Sequence, residues 1–150
     1  MNMLFVCTGN TCRSPMAAGL AGEIFPEEFS IGSAGLNAWE GSAASHHAVL
    51  VMEEEGIDLN DHCAAMITEG KLAWADWIVP MTSVQERQLK ISFPEFGPKI
   101  KRLGIWAGKD KDVSDPWGGS VEEYCFCREE LKEMLKEMAK VLTKGKGADD

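Results

Sequence analysis

The chain has 150 residues and a mass of 16.4 kDa, with 45% apolar and 26% charged side chains. That is ordinary globular composition for one domain, and it excludes a disordered or fibrous chain. A formal charge of −9 disfavours nucleic-acid and anionic-membrane partners, which need a basic face. No apolar run is long enough to span a bilayer. Met1–Cys7 has neither a charged n-region nor a long h-region, so no signal peptide is expected. Five cysteines, an odd number in a chain able to fold without staples, suggest reduced thiols and a cytoplasmic setting.

In chain order, Asn2–Val6 reads as a buried strand leading into the small polar turn Cys7-Thr8-Gly9-Asn10-Thr11-Cys12-Arg13. Ser14 as N-cap and Pro15 at the first helical position open a helix that Pro26 stops. Phe29–Ala34 is a second strand. Leu36–Ser45 is a loop carrying Trp39, and a helix through Val49–Glu53 closes at Gly56. Asp58–Thr68 reads as irregular, and Trp74–Met81 as the third strand. Ser83 to Glu86 forms a capping box for a helix ended by Pro94, Gly97 and Pro98. Ile100–Leu103 is a fourth short strand, and Gly104–Ser114 is a polar loop that Asp115-Pro116-Trp117-Gly118-Gly119 extends. A second capping box, Ser120 to Glu123, launches the terminal helix. Val121, Tyr124, Phe126, Leu131, Leu135, Met138 and Leu142 lie near its buried side, and Glu129/Lys132 and Glu137/Lys140 pair on its charged side. A frayed tail is expected over 144–150. Strands alternating with helices predict a single-domain, three-layer α/β/α fold over 1–150 with a four-stranded parallel sheet. Ligands in such folds sit at the carboxyl ends of strands, where Cys7 lies.

A cysteine, five residues and an arginine between strand and helix make a specific device. The curled chain turns its N–H groups inward, and the nest continues into the helix N-terminus to bind an anion. Gly9 and Asn10 tolerate the left-handed backbone the curl needs. Arg13 forks onto phosphate oxygens, and the same positive field favours a thiolate at Cys7. Ser14 can donate to that sulfur. Asp115, held extended by Pro116, is a candidate acid for the departing group; the competing reading is a plain turn.

Cys7-Thr8-Gly9-Asn10-Thr11-Cys12-Arg13-Ser14-Pro15, Ser33-Ala34-Gly35, Met81-Thr82 and Asp115-Pro116-Trp117-Gly118-Gly119-Ser120 resemble the low-molecular-weight protein phosphatase family across nearly the whole chain. The resemblance implies a four-stranded parallel sheet and metal-free hydrolysis through a phosphocysteine, with no cofactor. Cys7 would attack phosphorus. Thr8, Gly9, Asn10, Thr11, Cys12 and Arg13 would hold the phosphate. Asp115 would act as acid and then as base. Asn10, Ser14 and His47 resemble loop-supporting residues, His47 reading equally as a helix-surface histidine. Thr11 stands where tyrosine-directed members carry a bulky aliphatic residue, and so resembles the arginine-directed branch. Trp117 departs from that branch, and Trp39 stands where tyrosine-directed members often place an aromatic wall. Thr11, Trp39 and Trp117 are therefore the specificity candidates, with protein phosphoarginine preferred and protein phosphotyrosine the alternative. Cys7 and Cys12 are a candidate redox pair, Cys12 reading equally as a buried thiol. The expected partner is a phosphorylated protein, and the expected state is a monomer.

Two rivals are weaker. An arsenate reductase of this fold needs relay cysteines, and residues 81–103 have none. A non-catalytic phosphate-binding module would lack Cys7 or Asp115. Cys63, Cys125, Cys127 and a histidine lack the usual spacing of a zinc site.

Overall fold

The computed structural model describes residues 1–149, with side chains through Thr143. Three strands form one parallel sheet in the order β2-β1-β3: β1 (Asn2–Cys7), β2 (Ser30–Gly35) and β3 (Trp77–Pro80). β1 is central, pairing from Asn2↔Ser30 to Cys7↔Gly35 on one side and from Met3↔Trp77 to Val6↔Pro80 on the other. A strand covered on both faces must be apolar along its length, and Met3 to Cys7 are all buried. The period of two then sorts its side chains. Met3, Phe5 and Cys7 join the core formed with α1 (Arg13–Ile24) and the terminal helix α6 (Val121–Asp149). Leu4 and Val6 join the opposite core with Leu72, Ile78, Leu89 and Ile100. Cys7 therefore emerges at the carboxyl end of the central strand, on the α1 and α6 side.

The expected fourth strand is reduced to a single parallel bridge, Ile78↔Ile100, with Lys101 N–H donating to Ile78 O at 3.0 Å. A 3₁₀ helix occupies Pro94–Lys99, and a short helix starts at Leu103. Too few extended residues remain between them for a ladder. Arg102 N–H donates to Glu86 Oε2 at 2.8 Å and so is spent on a side chain and not on a strand.

Other boundaries also move. α1 begins at Arg13, so Ser14 lies inside its first turn and is not its cap. α2 is His46–Glu53, followed by Gly56 in the left-handed region at φ 73°. The helix α3 (Glu69–Trp74), capped by Thr68 Oγ1 accepting from Lys71 N–H, takes the residues before β3. Its six residues are too short to display a helical period. α4 (Ser83–Ser92) is capped one residue earlier than expected, by Thr82 in a reciprocal box with Gln85. α5 (Leu103–Trp106) interrupts the expected polar loop.

On α6, Tyr124, Cys127, Leu131, Met134, Leu135 and Met138 make the buried stripe. Phe126, expected near that stripe, is 60% exposed, because two residues from Tyr124 is more than half a turn around the helix. The Glu129/Lys132 and Glu137/Lys140 pairs form at 3.7 and 3.0 Å. The helix backbone continues to Asp149, beyond where fraying was expected. Asp150 and the side chains of 144–149 lie outside the described residues. Among the described residues, no helix is long and apolar enough to cross a membrane.

Candidate active site

Between β1 and α1 the chain curls through residues 8–12, and Asn10 takes the left-handed conformation at φ 57°. That curl turns Asn10 N–H back to Cys7 Sγ at 3.2 Å. Ser14 Oγ lies 2.9 Å from the same sulfur and accepts from Asn10 Nδ2 at 2.7 Å. The Ser14 hydroxyl thus has its own proton to give to the sulfur. Asn10 Nδ2 also donates to Ser33 Oγ at 3.0 Å, and Asn10 Oδ1 accepts from Ala65 N–H at 3.0 Å. The asparagine is fully buried and serves as the keystone of the loop.

The outer side of the curl is held by backbone pairing. Leu36 N–H and Asn37 N–H donate to Cys7 O and Thr8 O, each at 2.9 Å, and Ser45 N–H donates to Thr11 O at 2.9 Å. Gly35 allows this close seat: a Cβ there would stand 2.7 Å from Thr8 O and 2.9 Å from the Ala38 Cβ. The Gln85 side chain accepts from Met81 and Thr82 N–H through Oε1 and donates from Nε2 to Thr8 Oγ1 at 3.1 Å. One residue thereby caps α4 and ties it to the loop.

Arg13, the first residue of α1, is buried. Its Nη1 donates to Val113 O at 3.3 Å, and its Nη2 lies 3.5 Å from Asp115 Oδ2. Asp115 Oδ1 accepts from Trp117 N–H at 3.1 Å. Cys7, Thr8, Gly9, Thr11, Cys12, Arg13, Asp115 and Trp117 line one cavity of about 220 Å³. The fold has thus brought together residues 108 positions apart in sequence. Asn10 lies beneath the floor. Trp117 stands on the rim, 73% exposed, whereas Trp39 is 84% exposed and does not line the cavity.

Behind the loop, Cys12 Sγ lies 3.1 Å from Ser45 Oγ and 3.3 Å from Tyr124 Oη, and Ser45 Oγ donates to Tyr124 Oη at 3.2 Å. Burial first, then the contact with Cys12, pushes the Tyr124 hydroxyl up to about 12. His47 packs edge-on against the Tyr124 ring, 5.4 Å between centroids. The imidazole that meets the loop is instead His62, whose Nε2 lies 2.7 Å from Asn10 O. His62 sits in an irregular stretch without periodicity, so nothing local in the sequence aims it at the loop. Nothing local in the sequence aims Ser33, Ser45, Gln85 or Tyr124 at the loop either. Cys63, Cys125 and Cys127 do not line the cavity. Among the described residues, no group of three or more His, Cys, Asp or Glu side chains is placed to hold a metal ion.

A thiol at the base of a curled loop whose Asn10 N–H meets the sulfur, with an arginine closing the loop and a carboxylate at the mouth, defines a cysteine-dependent phosphatase site. Residues 2–148 match the family model described as low molecular weight phosphotyrosine protein phosphatase, and the chain belongs to that family. It is 40% identical over 141 residues to a protein-arginine-phosphatase of Geobacillus stearothermophilus, covering 93% of this chain and 95% of that one. It is 38% identical over 148 residues to a protein-arginine-phosphatase of Bacillus subtilis (strain 168), covering 96% and 98%. A solved arginine phosphatase, a Cys-to-Ser mutant with a phosphorylated active-site serine, superposes with a TM-score of 0.91 at 38% identity, covering 96% of this chain and 97% of that chain.

Proposed function

We propose that this chain is a protein phosphatase that hydrolyses phosphoarginine by way of a phosphocysteine at Cys7. The observation that carries the reading is the cavity itself: one sulfur, contacted by Asn10 N–H and Ser14 Oγ, faces Arg13 and Asp115 across a space of about 220 Å³.

The Cys7 thiolate attacks phosphorus in line with the leaving group. The loop N–H groups of residues 8–13 and the Arg13 guanidinium take the three non-bridging oxygens, where charge must be held throughout. The P–N bond breaks, and Asp115 in its acid form gives its proton to the departing guanidine nitrogen. Water then attacks the phosphocysteine, Asp115 takes its proton, and the S–P bond breaks to return the thiolate and release inorganic phosphate. The phosphorylated serine in the structurally similar arginine phosphatase supports a phosphoenzyme at this position. Asn10 and Ser14 support the loop, and so does His62, in the role the sequence had suggested for His47.

Two observations support phosphoarginine as the substrate. Thr11 lines the cavity, where its small side chain and hydroxyl suit a guanidinium better than a phenyl ring. The arginine-directed relatives also match over nearly the whole chain. Trp117 on the cavity wall favours the second reading, a phosphotyrosine phosphatase, because an indole face stacks well on a phenyl ring. Parallel assays on phosphoarginine and phosphotyrosine versions of one peptide decide between them. A larger kcat/KM on phosphoarginine is expected, and a tyrosine preference overturns the assignment. Thr11→Ile is expected to move the ratio toward tyrosine.

The cavity also supports reversible oxidation. Cys7 sulfenic acid would condense with the Cys12 thiol, releasing water, and added thiol would reduce the disulfide. Cys12 must first leave Ser45 and Tyr124. Peroxide followed by dithiothreitol should restore activity in the native chain and fail to do so in Cys12→Ala. This reading includes a monomer in the reducing cytoplasm, acting on phosphorylated proteins and not on nucleic acids or membranes.

A further inference from the structure

We propose that Glu130 is a positioning residue for Asp115, an inference that rests on the acid role given to Asp115 above. Glu130 lies on α6 outside the cavity, and its side chain is only 6% exposed. A buried carboxylate is costly unless its oxygens find partners. Glu130 meets the segment that delivers Asp115 through two hydrogen bonds at Oε1 and one ion pair at Oε2. Oε1 accepts from Ser114 N–H at 2.9 Å and from Ser114 Oγ at 3.0 Å. Oε2 stands 2.9 Å from Lys111 Nζ as an ion pair, and the nearby Glu130 carboxylate raises the Lys111 ammonium above the usual lysine range. The carboxylate brackets residues 111–114, ending on the residue directly before the acid.

The remaining restraints are few. Val113 N–H donates to Met81 O at 3.0 Å, and Val113 O accepts from Arg13. Cys127 Sγ lies 3.6 Å from Ser114 O. Pro116 limits the backbone of Asp115 from the other side. The Asp115 carboxylate is 58% exposed, stands 3.5 Å from Arg13 and accepts from Trp117 N–H at 3.1 Å, a contact inside its own segment, so where it points follows the backbone of that segment. With Ser114 clamped by Glu130 and Pro116 following, the backbone sets the direction of the carboxylate. Displacement by about 1 Å is enough to cost a proton transfer on the order of 10²-fold.

Two aryl phosphates test this. p-Nitrophenolate leaves with little help from an acid, and phenolate needs a proton. Glu130→Leu is expected to lower kcat/KM, which reports the leaving-group step alone, by about 10-fold or more on phenyl phosphate and by less than about 3-fold on p-nitrophenyl phosphate. The inhibition constant of inorganic phosphate should stay unchanged. Glu130→Gln, whose amide oxygen still accepts from Ser114, should recover most of the loss. In an Asp115→Ala background, Glu130→Leu should add nothing further. Should Glu130→Leu fail to fold, Ser114→Ala removes one of the two hydrogen bonds at an exposed residue and should slow phenyl phosphate alone by about 2- to 3-fold. Equal slowing of both substrates, or a full effect without Asp115, overturns the inference. If Asp115→Ala itself shows no leaving-group dependence, the acid assignment falls and this inference falls with it. If Asp115→Ala shows that dependence and the Glu130 and Ser114 variants do not, this inference alone is overturned.

Discussion

The nucleophile loop and the acid-bearing segment face each other across one cavity and are built in opposite ways. Residues 7–13 are held from several sides: by β1 and α1, by Leu36 and Asn37 after β2, by Ser45 before α2, by His62 and Ala65, and by Gln85 of α4. Residues 113–117 hang on Met81, Arg13, Cys127 and Glu130, and Asp115 and Trp117 are open to solvent. The difference follows from what each region handles. In the proposed mechanism the loop grips the same phosphoryl oxygens in both chemical steps, so fixed donors serve it throughout. In the same mechanism the acid segment lets a leaving group out and a water in, which a sealed carboxylate could not do.

The predictions break or sharpen that contrast. Cys7→Ser strikes the loop and should reduce turnover by several orders of magnitude while inorganic phosphate still binds, measured by single-turnover kinetics and calorimetric titration. Asp115→Ala strikes the other side and should cost about 10²- to 10⁴-fold on poor leaving groups and much less on good ones, seen in a leaving-group series. His62→Ala removes one support of the loop and leaves the acid segment alone. It should weaken phosphate binding by about 10-fold, the cost of one lost hydrogen bond beneath the cradle, with leaving-group dependence unchanged.

Alkaline titration separates the two regions by stability. Burial, the first cause, pushes Cys127 behind the acid segment from 9.0 up to about 12, and Tyr124 behind the loop from 10.0 up to about 12. The folded chain therefore keeps these protons where an unfolded chain would lose them. Stability should be complete below about pH 9 and should fall as pH rises toward about 12. Cys127→Ala should delay the onset of that fall to about pH 10, and Tyr124→Phe should make it shallower, both read from urea midpoints across pH. The smallest effect belongs to Thr82→Ala, which removes the α4 cap and should cost about 1 kcal/mol of unfolding free energy.

The contrast also explains what the sequence disclosed. Cys7 to Arg13 is contiguous, and its chemistry needs residue types at fixed spacing, so the loop was legible as written. The placement of Asp115 at the cavity was legible through Pro116 and the resemblance. Long strongly patterned elements such as β1 and α6 were legible as well. The fourth strand was not, because two short helices on either side take its residues. The Ser14 cap was misread because its hydroxyl is used on Cys7, a tertiary demand that local capping rules do not register. His62, Gln85 and Glu130 act across 52, 77 and 16 residues, on partners that only the folded chain supplies.

Asn10 is the one non-glycine residue with a left-handed backbone among the described residues, and its side chain also clamps three neighbours. Glycine in its place would preserve the bend and discard the clamps. Alanine would discard the clamps and strain the bend. The bend and the three clamps thus reside in one side chain and one backbone position, and either replacement loosens the floor of the cavity.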